Sequence, residues 1–343
     1  MKKIRVLDAF SGIGGFRKGI ELSNNNDRHF SFIGASDTDE LCKKVYELSY
    51  DTHDEDFFND IGLIHTSVNK TGTYAKDFDL FVAGFPCQPF ANIGHRKGLN
   101  DERGTLIFKI CDLLKFYQPK YFILENVQKI KNLGKGSTLE IIKNLLKESG
   151  YSFCLWDLCA SNYGVPQQRR RMIFCGVKNN NPEELMLPPP KIIKTEEREY
   201  KTTWHLLEKT MHSEHIVPKQ TAKTVFRKNE KWQGDLKINR LEARPLTATM
   251  AKWHRANQDN YFSEDFVFSK NVEEASQCNS YPNGKLVRRI SLLEGLRLQG
   301  FDKEIHNVFN SLNIKPTAGY RLIGNAIPVP LVKSITDSFF KYF

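Results

Sequence analysis

The residues best suited to do chemistry lie in two loops, each of which follows a β-forming run. In the segment DAFSGIGGFRKG, at 8–19, a strand leads through a glycine turn into a helix. Such a turn lets a ligand approach the backbone, and the start of the helix offers N–H donors. Asp37 follows Gly15 by 22 residues, at the end of the next predicted strand, where an acid can bind ribose hydroxyls. Since the loop contains neither GxGxxG nor GKS or GKT, we expect a nucleoside cofactor without a pyrophosphate, such as S-adenosylmethionine.

The second loop, GFPCQPF at 84–90, carries Cys87 between two prolines at the end of another apolar run. A thiol there would lie at the carboxyl edge of a sheet, where open α/β sheets bind ligands, and could act as a nucleophile. The alternative is a buried structural cysteine, but a position between two prolines at a strand end is unusual for simple packing. The segment that follows, 91–104, is polar and glycine-rich, which suits a mobile lid.

Three charged residues stand near the ends of further predicted strands. Glu125, in ENV, ends the strand predicted at 121–124. Arg169 and Arg171 stand two apart in QQRRRMIF at the start of a strand, so the alternation of side chains predicts that both lie on one face. The alternatives are a strand-end ion pair for the glutamate and a surface cluster for the arginines.

The elements around these loops predict an α/β fold. Over the first ~180 residues, short apolar runs alternate with helix-like segments, which indicates a mostly parallel sheet with helices on both faces. The pattern breaks near Asn179, where NNNPEELMLPPP indicates a linker, and 191–288 mixes basic, polar and aromatic residues. Strands are predicted at 4–9, 32–35, 80–83, 121–124 and 171–177; helices at 40–50, 105–116, 139–147 and, behind a capping box of Ser291 and Glu294, over SLLEGLRLQ; and a loop at 324–330 before a last helix.

The composition is that of a soluble globular chain. Of 343 residues, 40% are hydrophobic and 26% charged, and the net charge of +10 favours a polyanionic partner. No apolar run approaches the ~20 residues that cross a bilayer, and the N-terminus does not resemble a secretion signal, so we expect a cytoplasmic protein. Seven cysteines without a CxxC argue against a disulfide framework, and the HxxH of His212 and His215 has no evident third ligand, so we expect no metal.

Taken together, these residues resemble the DNA (cytosine-5)-methyltransferase family, in its prokaryotic restriction–modification form. The similar blocks follow the family order and span nearly the whole chain, except 182–243, which in this family is the variable target-recognition region. The resemblance implies the Rossmann-like fold of S-adenosylmethionine-dependent methyltransferases. The blocks are FSGIGG at 10–15, Asp37, NDI at 59–61, PCQ at 86–88, ENV at 125–127, QRRR at 168–171, RPLTAT at 244–249 and GNAIPVP at 324–330.

The resemblance implies covalent catalysis on a cytosine that has rotated out of the duplex. Cys87 matches the family nucleophile, whose thiolate adds to C6 so that C5 can attack the sulfonium methyl group. Glu125 matches the glutamate that contacts N3 and the exocyclic amine of the base. Arg171 matches the arginine that holds O2, and Arg169 its neighbour in the same site. These four residues are the predicted catalytic set.

The cofactor residues follow from the same resemblance, with S-adenosylhomocysteine as the product. Phe10 matches the aromatic residue on the adenine, Gly12 and Gly14 shape the methionine pocket, and Asp60 matches the acid on the adenine amino group. Thr38 stands where the family often has a tryptophan, so part of the adenine wall must come from elsewhere. The predicted cofactor-binding set is Phe10, Gly12, Gly14, Gly15, Asp37, Thr38, Asp60, Ile61, Pro86, Leu106 and Asn325.

The predicted DNA contacts lie mostly in the variable region. Between 219 and 244, eight Lys or Arg outnumber three acids, which suits phosphate and base-edge contacts but also a solvated surface. Gln233, in KWQGD, resembles a family Gln-Gly that fills the space left by the flipped base; Trp232 and lid residues are the alternatives. The predicted DNA-binding set is Gln88, Arg103, Arg227, Lys228, Trp232, Gln233, Arg240 and Arg244.

The resemblance also implies the organisation and the activity. We expect a catalytic and cofactor-binding domain over 1–181, completed by 305–343, a target-recognition domain over 182–288 and a connecting helix over 289–304. The expected activity is methylation of cytosine C5 in a specific double-stranded DNA sequence by a monomer. A cognate endonuclease encoded nearby, without a stable complex, is the expected partner protein. The alternatives are a tRNA cytosine-5 methyltransferase, although its usual CFT-type signature is missing, and a catalytically silent DNA-binding relative, although every chemical position is intact.

Overall fold

The chain forms two compact units, which we describe separately. The sheet unit comprises Met1–Leu158, Arg170–Lys191 and Val332–Phe343, and the second unit comprises Cys159–Arg169 and Ile192–Leu331. The structure is a computed structural model that describes residues 2–64, 77–86, 106–227, 236–282 and 284–343.

These units divide the chain at other places than the predicted domains. The predicted connecting helix at 289–304 and residues 305–331 group with the second unit, and only Val332–Phe343 returns to the sheet unit. Side-chain hydrogen bonds explain this grouping in part, since the Gln299 amide donates to the carbonyls of Ile323 and Ala326 over 2.8 and 3.2 Å. The role of 182–288 in target recognition stays a prediction.

A seven-stranded sheet organises the sheet unit. Its strands are β1 (Lys2–Ala9), β2 (Arg28–Ser36), β3 (Asp56–Phe58), β4 (Leu80–Gly84), β5 (Tyr121–Val127), β6 (Tyr151–Cys159) and β7 (Arg170–Lys178). They lie in the order β3-β2-β1-β4-β5-β7-β6. Four neighbouring pairs from β3 to β5 are parallel, whereas β5 and β7 are antiparallel. This arrangement confirms the predicted α/β fold with a mostly parallel sheet.

The sequence prediction omitted two of these strands. β3 has only three residues, which is too short for a period to be recognised. β6 has the sequence YSFCLWDLC, and its first four residues are all buried, so it lacks the alternation that identifies a half-buried strand. A short apolar run of this kind cannot be assigned to a strand or a helix from its period alone.

Helices cover both faces of the sheet, and one face carries a large buried cluster. Leu7, Phe81 and Phe122 of the sheet share this cluster with Ile110 and Leu146 of two helices. Burial of each such side chain contributes about 1.5–3 kcal/mol. The helices of this unit are α1 (Gly15–Glu21), α2 (Glu40–Ser49), α3 (Leu106–Tyr117) and α4 (Ser137–Glu148).

The C-terminal segment packs on the opposite face. Tyr121 points away from the cluster that contains Phe122, because neighbouring strand residues face opposite sides. Its ring lies 6.1 Å from that of Phe339 and 5.0 Å from that of Phe340. The Phe340 ring also lies 5.1 Å from Phe30 on β2. These edge contacts hold the end of the last helix, Val329–Phe339, on the sheet.

The second unit has short helices and a small sheet of its own. A cluster that includes Val225, Ile238 and Tyr261 forms a buried core within it. No helix in the described part of the chain combines the length and the apolar character needed to cross a bilayer. The elements are α5 (Thr203–Leu206), α6 (Lys219–Val225), α7 (Glu264–Phe268), α8 (Val272–Gln277), α9 (Leu292–Leu298), α10 (Lys303–Ser311), α11 (Pro316–Asn325) and the antiparallel strands β8 (Tyr261–Ser263) and β9 (Val287–Arg289).

The predicted capping box at the start of α9 is confirmed. The Ser291 hydroxyl accepts a hydrogen bond from the Glu294 N–H, and the Glu294 carboxylate accepts one from the Ser291 N–H. Glu294 is fully buried and also binds both terminal nitrogens of Arg288, at 2.7 and 2.8 Å. A buried carboxylate needs such partners, because desolvation otherwise costs several kcal/mol.

Candidate active site

The glycine turn joins β1 to α1 and is fixed by the end of β2. Phe10, Gly12 and Gly14 have positive φ angles of 56°, 54° and 83°. Glycine adopts such angles without strain, whereas Phe10 does so at a cost. The Gly12 N–H donates to the Asp37 carboxylate over 2.9 Å. The structure therefore brings Asp37 and the turn together.

The surroundings of the turn fit a nucleoside ligand. A Cβ atom added to Gly12 would meet no atom of the described residues within 4 Å, so the backbone faces open space among them. The half-buried Asp37 offers carboxylate oxygens at this place, as a ribose diol requires. Its N–H donates to the Phe58 carbonyl over 3.2 Å, which ties the end of β2 to β3, two residues before Asp60.

The other predicted cofactor residues of the sheet unit have varied environments. Asp60 caps the short 3₁₀ helix Ile61–Leu63, accepting from the Gly62 N–H over 2.6 Å, and its carboxylate lies 3.2 Å from Lys109 Nζ. Ile61 is buried in the main cluster, and Leu106 packs against the same cluster. Thr38 is exposed and offers no apolar wall.

Glu125 and Arg171 form an ion pair between Oε1 and Nε on the neighbouring strands β5 and β7. Glu125 is opposite Ile173 and Arg171 is opposite Val127, so the two side chains are diagonal neighbours on one face. Their side chains are only 12% and 10% exposed. The pairing offsets part of the cost of burying two charges.

This pair lies beside the end of β4. Gly84 and Glu125 are directly opposite in the sheet, and a Cβ on Gly84 would lie 3.4 Å from Glu125 Oε2. The side-chain amide of Asn126 donates to the Phe85 carbonyl over 3.0 Å, which fixes the direction in which the chain leaves the strand. The Glu125 carboxylate thus lies beside Gly84, which stands three residues before Cys87 in the sequence.

Pro86 is exposed and is the last described residue before the cysteine loop. The roles predicted for the loop and for part of the variable region therefore stay predictions. The predicted site residues outside the described part of the chain are Cys87, Gln88, Arg103, Lys228, Trp232 and Gln233.

Arg169 has a different environment from Arg171, which corrects the sequence prediction. β7 begins one residue after Arg169, so strand alternation does not place both arginines on one face. Arg169 is 3% exposed, and its guanidinium donates within the second unit to the carbonyls of Leu246, Gly324 and Ala326 over 2.8–2.9 Å. These bonds hold separate segments of the second unit together, and the place of Arg169 in the predicted catalytic set stays a prediction.

Two of the loops that Arg169 holds approach each other closely. A Cβ on Gly324 would lie 2.3–2.4 Å from backbone atoms of Thr247 and Ala248, so only glycine fits there. Asn325 follows at the end of α11 and is exposed. The loop predicted over 324–330 is therefore too long, because α11 ends at Asn325 and the last helix begins at Val329.

Sequence reasoning missed a buried glutamine in the same region. Gln167 is fully buried; its Oε1 accepts from the Leu246 N–H over 3.0 Å and its Nε2 donates to the Leu298 carbonyl over 2.8 Å. The Leu246 N–H lies in a loop and the Leu298 carbonyl lies at a helix end, where such backbone groups would otherwise lack hydrogen-bond partners. No periodicity distinguishes this glutamine from its exposed neighbour Gln168, and the adjacent QRRR motif contains the charged residues that resemble a catalytic site.

The predicted DNA-binding arginines of the second unit differ in exposure. Arg227 is exposed and Arg240 is half-buried. Arg244, in contrast, is buried, and its guanidinium donates to the carbonyls of Asn257 and Lys237 over 3.1 and 3.0 Å. This placement disagrees with the predicted DNA contact of Arg244, because a guanidinium used inside the fold cannot reach a phosphate.

Comparisons with known proteins find similar chains over nearly the whole length of this one. The profile described as C-5 cytosine-specific DNA methylase matches residues 4–341. The type II methyltransferase M.HaeII of Haemophilus aegyptius is 30% identical over 339 residues, which are 98% of this chain and 93% of that protein. The type II methyltransferase M.SsoII of Shigella sonnei is 29% identical over 339 residues, which are 98% of this chain and 79% of that protein.

Solved structures give the same fold. The S. pombe Dnmt2 methyltransferase superposes with a TM-score of 0.71 at 20% identity and covers 99% of both chains. The Entamoeba histolytica methyltransferase EhMeth has a TM-score of 0.71 at 18% identity, over 100% of this chain and 99% of that one. At this level of identity the likeness concerns the fold alone.

Proposed function

Because the chain belongs to the C-5 cytosine-specific DNA methylase family, we propose that it is the modification enzyme of a type II restriction–modification system. The chain is a DNA cytosine-5 methyltransferase, and S-adenosylmethionine is its methyl donor. The proposal adds that the enzyme methylates cytosine within one specific recognition sequence of double-stranded DNA. It rests on the similarity to M.SsoII and M.HaeII, which carry the type II description and align with 98% of this chain.

The observation that carries the mechanism is the Glu125–Arg171 pair beside Gly84. A carboxyl group and a guanidinium on one face of the sheet can contact neighbouring polar atoms on the edge of a pyrimidine. In its protonated form Glu125 donates to N3 while its other oxygen accepts from the exocyclic amine, and Arg171 donates to O2. Such fixed groups stabilise the negative charge that develops on the ring during nucleophilic addition.

Cys87 supplies the nucleophile in this proposal. Its thiolate bonds to C6 of the flipped cytosine, and the electron pair of the C5–C6 double bond moves to C5. S-adenosylmethionine supplies an electrophilic methyl group on its sulfonium, which C5 takes. A base then removes the C5 proton, the double bond re-forms and Cys87 leaves as a thiolate. The products are 5-methylcytosine, S-adenosylhomocysteine and the proton that the base has taken up, so atoms and charge balance.

The glycine turn and the strand ends hold the cofactor in this proposal. Gly12 lets the methionine part approach the backbone and Gly14 shapes the turn of its pocket, Asp37 binds the ribose, and Asp60 accepts from the adenine amino group. Phe10 packs on the adenine. Asn325 contacts the methionine end.

The second unit supplies DNA recognition in this proposal. Arg227 is exposed and reaches phosphates or base edges in this proposal; Arg240 is half-buried, and its guanidinium exchanges its bonds to the Glu242 carbonyl and Gln168 for such a contact. Lys228 adds a second phosphate contact, and Gln233 or Trp232 fills the gap left by the flipped base. The enzyme acts as a monomer, and the cognate endonuclease forms no stable complex with it.

A methyl-transfer assay tests the proposal. The protein is incubated with tritiated S-adenosylmethionine and either plasmid DNA or tRNA, and bisulfite sequencing locates the modified cytosines. We expect label in one short duplex sequence and none in tRNA. Label in tRNA alone would contradict the proposal.

Cysteine variants test the nucleophile. Cys87→Ser should abolish transfer while duplex binding persists, and Cys278→Ser, at a partly exposed cysteine, should transfer normally. With 5-fluorocytosine DNA the C5 proton needed for elimination is missing, so wild type should form a covalent adduct that Cys87→Ser does not form. Normal transfer by Cys87→Ser would remove the proposed mechanism.

A further inference from the structure

A buried cation lies directly behind the glycine turn. Arg17, on α1, has a side chain that is only 6% exposed. Its Nη1 lies 2.6 Å from both carboxylate oxygens of Glu55, whose side chain is 8% exposed. Nε donates to Glu21 over 2.8 Å, and Nη2 donates to the Asp51 carbonyl over 2.9 Å. The planar guanidinium thus joins α1 to the segment between α2 and β3, a geometry that a lysine cannot reproduce.

Aromatic rings enclose this cation. The guanidinium carbon lies 4.8 Å from the ring centre of Phe32, 5.4 Å from that of Tyr46 and 5.0 Å from that of Tyr50. The two tyrosine rings lie 5.1 Å apart. Cation–π contacts are stronger when they are shielded from water, as here, so Arg17 fixes the position of the Tyr50 ring.

Tyr50 in turn holds the glycine turn. Its hydroxyl lies 3.1 Å from the carbonyl oxygens of both Ile13 and Gly14, and it donates its single proton to this pair. Its ring lies so close to Gly14 that a Cβ there would be 2.3 Å from Cε2 of the tyrosine. The left-handed conformation of Gly14 and this contact both require glycine.

We propose that Arg17 and Tyr50 are positioning residues for S-adenosylmethionine, which hold the carbonyls of the glycine turn in the conformation that binds the cofactor. This inference rests on the proposed role of the turn in cofactor binding. Neither residue needs to touch the cofactor. Arg17 holds the ring, the ring supports Gly14, and the hydroxyl bonds to the Ile13 and Gly14 carbonyls, the second of which also accepts from the Lys18 N–H over 2.9 Å.

The decisive variant is Tyr50→Phe, which removes the hydroxyl and keeps the ring. We expect the dissociation constant for S-adenosylhomocysteine, measured by titration calorimetry, to rise about three- to tenfold, the value of one net hydrogen bond. The KM for S-adenosylmethionine should rise by a similar factor. The maximal rate and the affinity for duplex DNA should stay within about twofold, because neither depends on the turn once cofactor is bound.

The matched control is Tyr151→Phe. Tyr151 is fully buried in the same unit, and its hydroxyl donates to the Pro119 carbonyl over 2.8 Å, on β6 and away from the turn. Its loss should lower the unfolding temperature about as much as Tyr50→Phe does, but leave S-adenosylhomocysteine affinity unchanged. A merely structural role for Tyr50 would make the two variants behave alike.

A second variant, Arg17→Lys, keeps the positive charge but removes the planar guanidinium, whose nitrogens bind several partners at once. We expect a larger loss of S-adenosylhomocysteine affinity than for Tyr50→Phe, together with reduced stability. If wild type binds S-adenosylhomocysteine and Tyr50→Phe binds it equally tightly, this inference is overturned but the proposed cofactor site is not. If wild type itself bound no S-adenosylhomocysteine, the proposed cofactor site would fail instead.

Discussion

Glu125 and Arg171 are diagonal partners across β5 and β7, paired through Oε1 and Nε beside Gly84. The arginine is placed by an antiparallel strand and the glutamate by a parallel one. Their separation along the chain is large, but the sheet register fixes both on one face. The pair is therefore organised by the most rigid part of the fold, as a preorganised electrostatic site requires.

Arg171→Lys should slow methyl transfer by about 10²–10³-fold in a single turnover, because lysine keeps the charge but loses the fixed donor geometry. Rapid-quench measurement with saturating duplex and cofactor checks this. Arg170→Lys is the control, since Arg170 is 54% exposed, and should stay near the wild-type rate. A rate for Arg171→Lys within about threefold of wild type would count against the role of this arginine.

Arg169→Met should destabilise the fold by about 2–4 kcal/mol, because three carbonyls each lose a charged donor and only that of Ala326 keeps the Gln299 amide as a partner. Urea unfolding followed by circular dichroism measures the change. The neighbouring Arg170→Met should lie within about 0.5 kcal/mol of wild type, since it loses only an exposed contact to Asp157. Equal stability of the two variants would contradict the structural role of Arg169.

DNA affinity should fall linearly with the logarithm of salt concentration, and Arg227→Ala should lower the slope by about 0.9, the value of one phosphate contact. Fluorescence anisotropy with a labelled duplex at several salt concentrations measures this slope. Lys44→Ala removes an equally exposed charge from α2 and should leave the slope unchanged. The prediction fails if both variants have the wild-type slope.

The pH dependence of stability should contain a contribution from Asp259. Burial raises the pKa of this carboxyl to about 6, although the Asn260 N–H and the nearby Arg289 and Arg244 lower it. The folded chain thus binds this proton more tightly than the unfolded chain, whose value is 3.8. The stability from protonated Asp259 is therefore fully present below the unfolded value and is lost as the pH rises through about 6.

Asp259→Asn should remove this dependence, because asparagine can still accept from the Asn260 N–H but does not titrate. The stability of the variant relative to wild type should increase between about pH 5 and about pH 8. Thermal unfolding at several pH values measures it, with Asp265→Asn, at an exposed position, as the control. A constant difference across this range would exclude the contribution of Asp259.

Local patterns were sufficient for much of the fold. The glycine turn and its partner Asp37 were predicted because both follow recognisable strand ends, and the capping box of Ser291 and Glu294 because it depends on adjacent residues. β6 was missed because its buried first half does not alternate. Where a signal lies within a few residues, the sequence is enough.

The environments of Arg169 and Arg244 were not predicted, because they depend on contacts between distant segments. Arg169 and Arg171 look equivalent in QRRR, but one donates to loops 77–157 residues away and the other pairs with Glu125. Arg244 looked like a surface cation within a basic stretch, yet its guanidinium lies inside the second unit. No local pattern reports which partner a guanidinium will find, because that depends on tertiary packing.

The return of Val332–Phe343 to the sheet has a consequence for protein engineering. A recombinant fragment that stopped at Lys191 would lack the rings of Phe339 and Phe340 that cover Tyr121. It would therefore expose an apolar face that promotes aggregation. The two chain ends, however, are neighbours, since Lys2 Nζ lies 3.4 Å from the Phe343 carbonyl. A circular permutant that links the two ends and opens the chain after Lys191 would make the pieces that form the sheet nearly continuous. The larger part of the variable region, from residue 192 onward, would then begin at a free terminus, where it is simplest to replace it with the corresponding part of another protein.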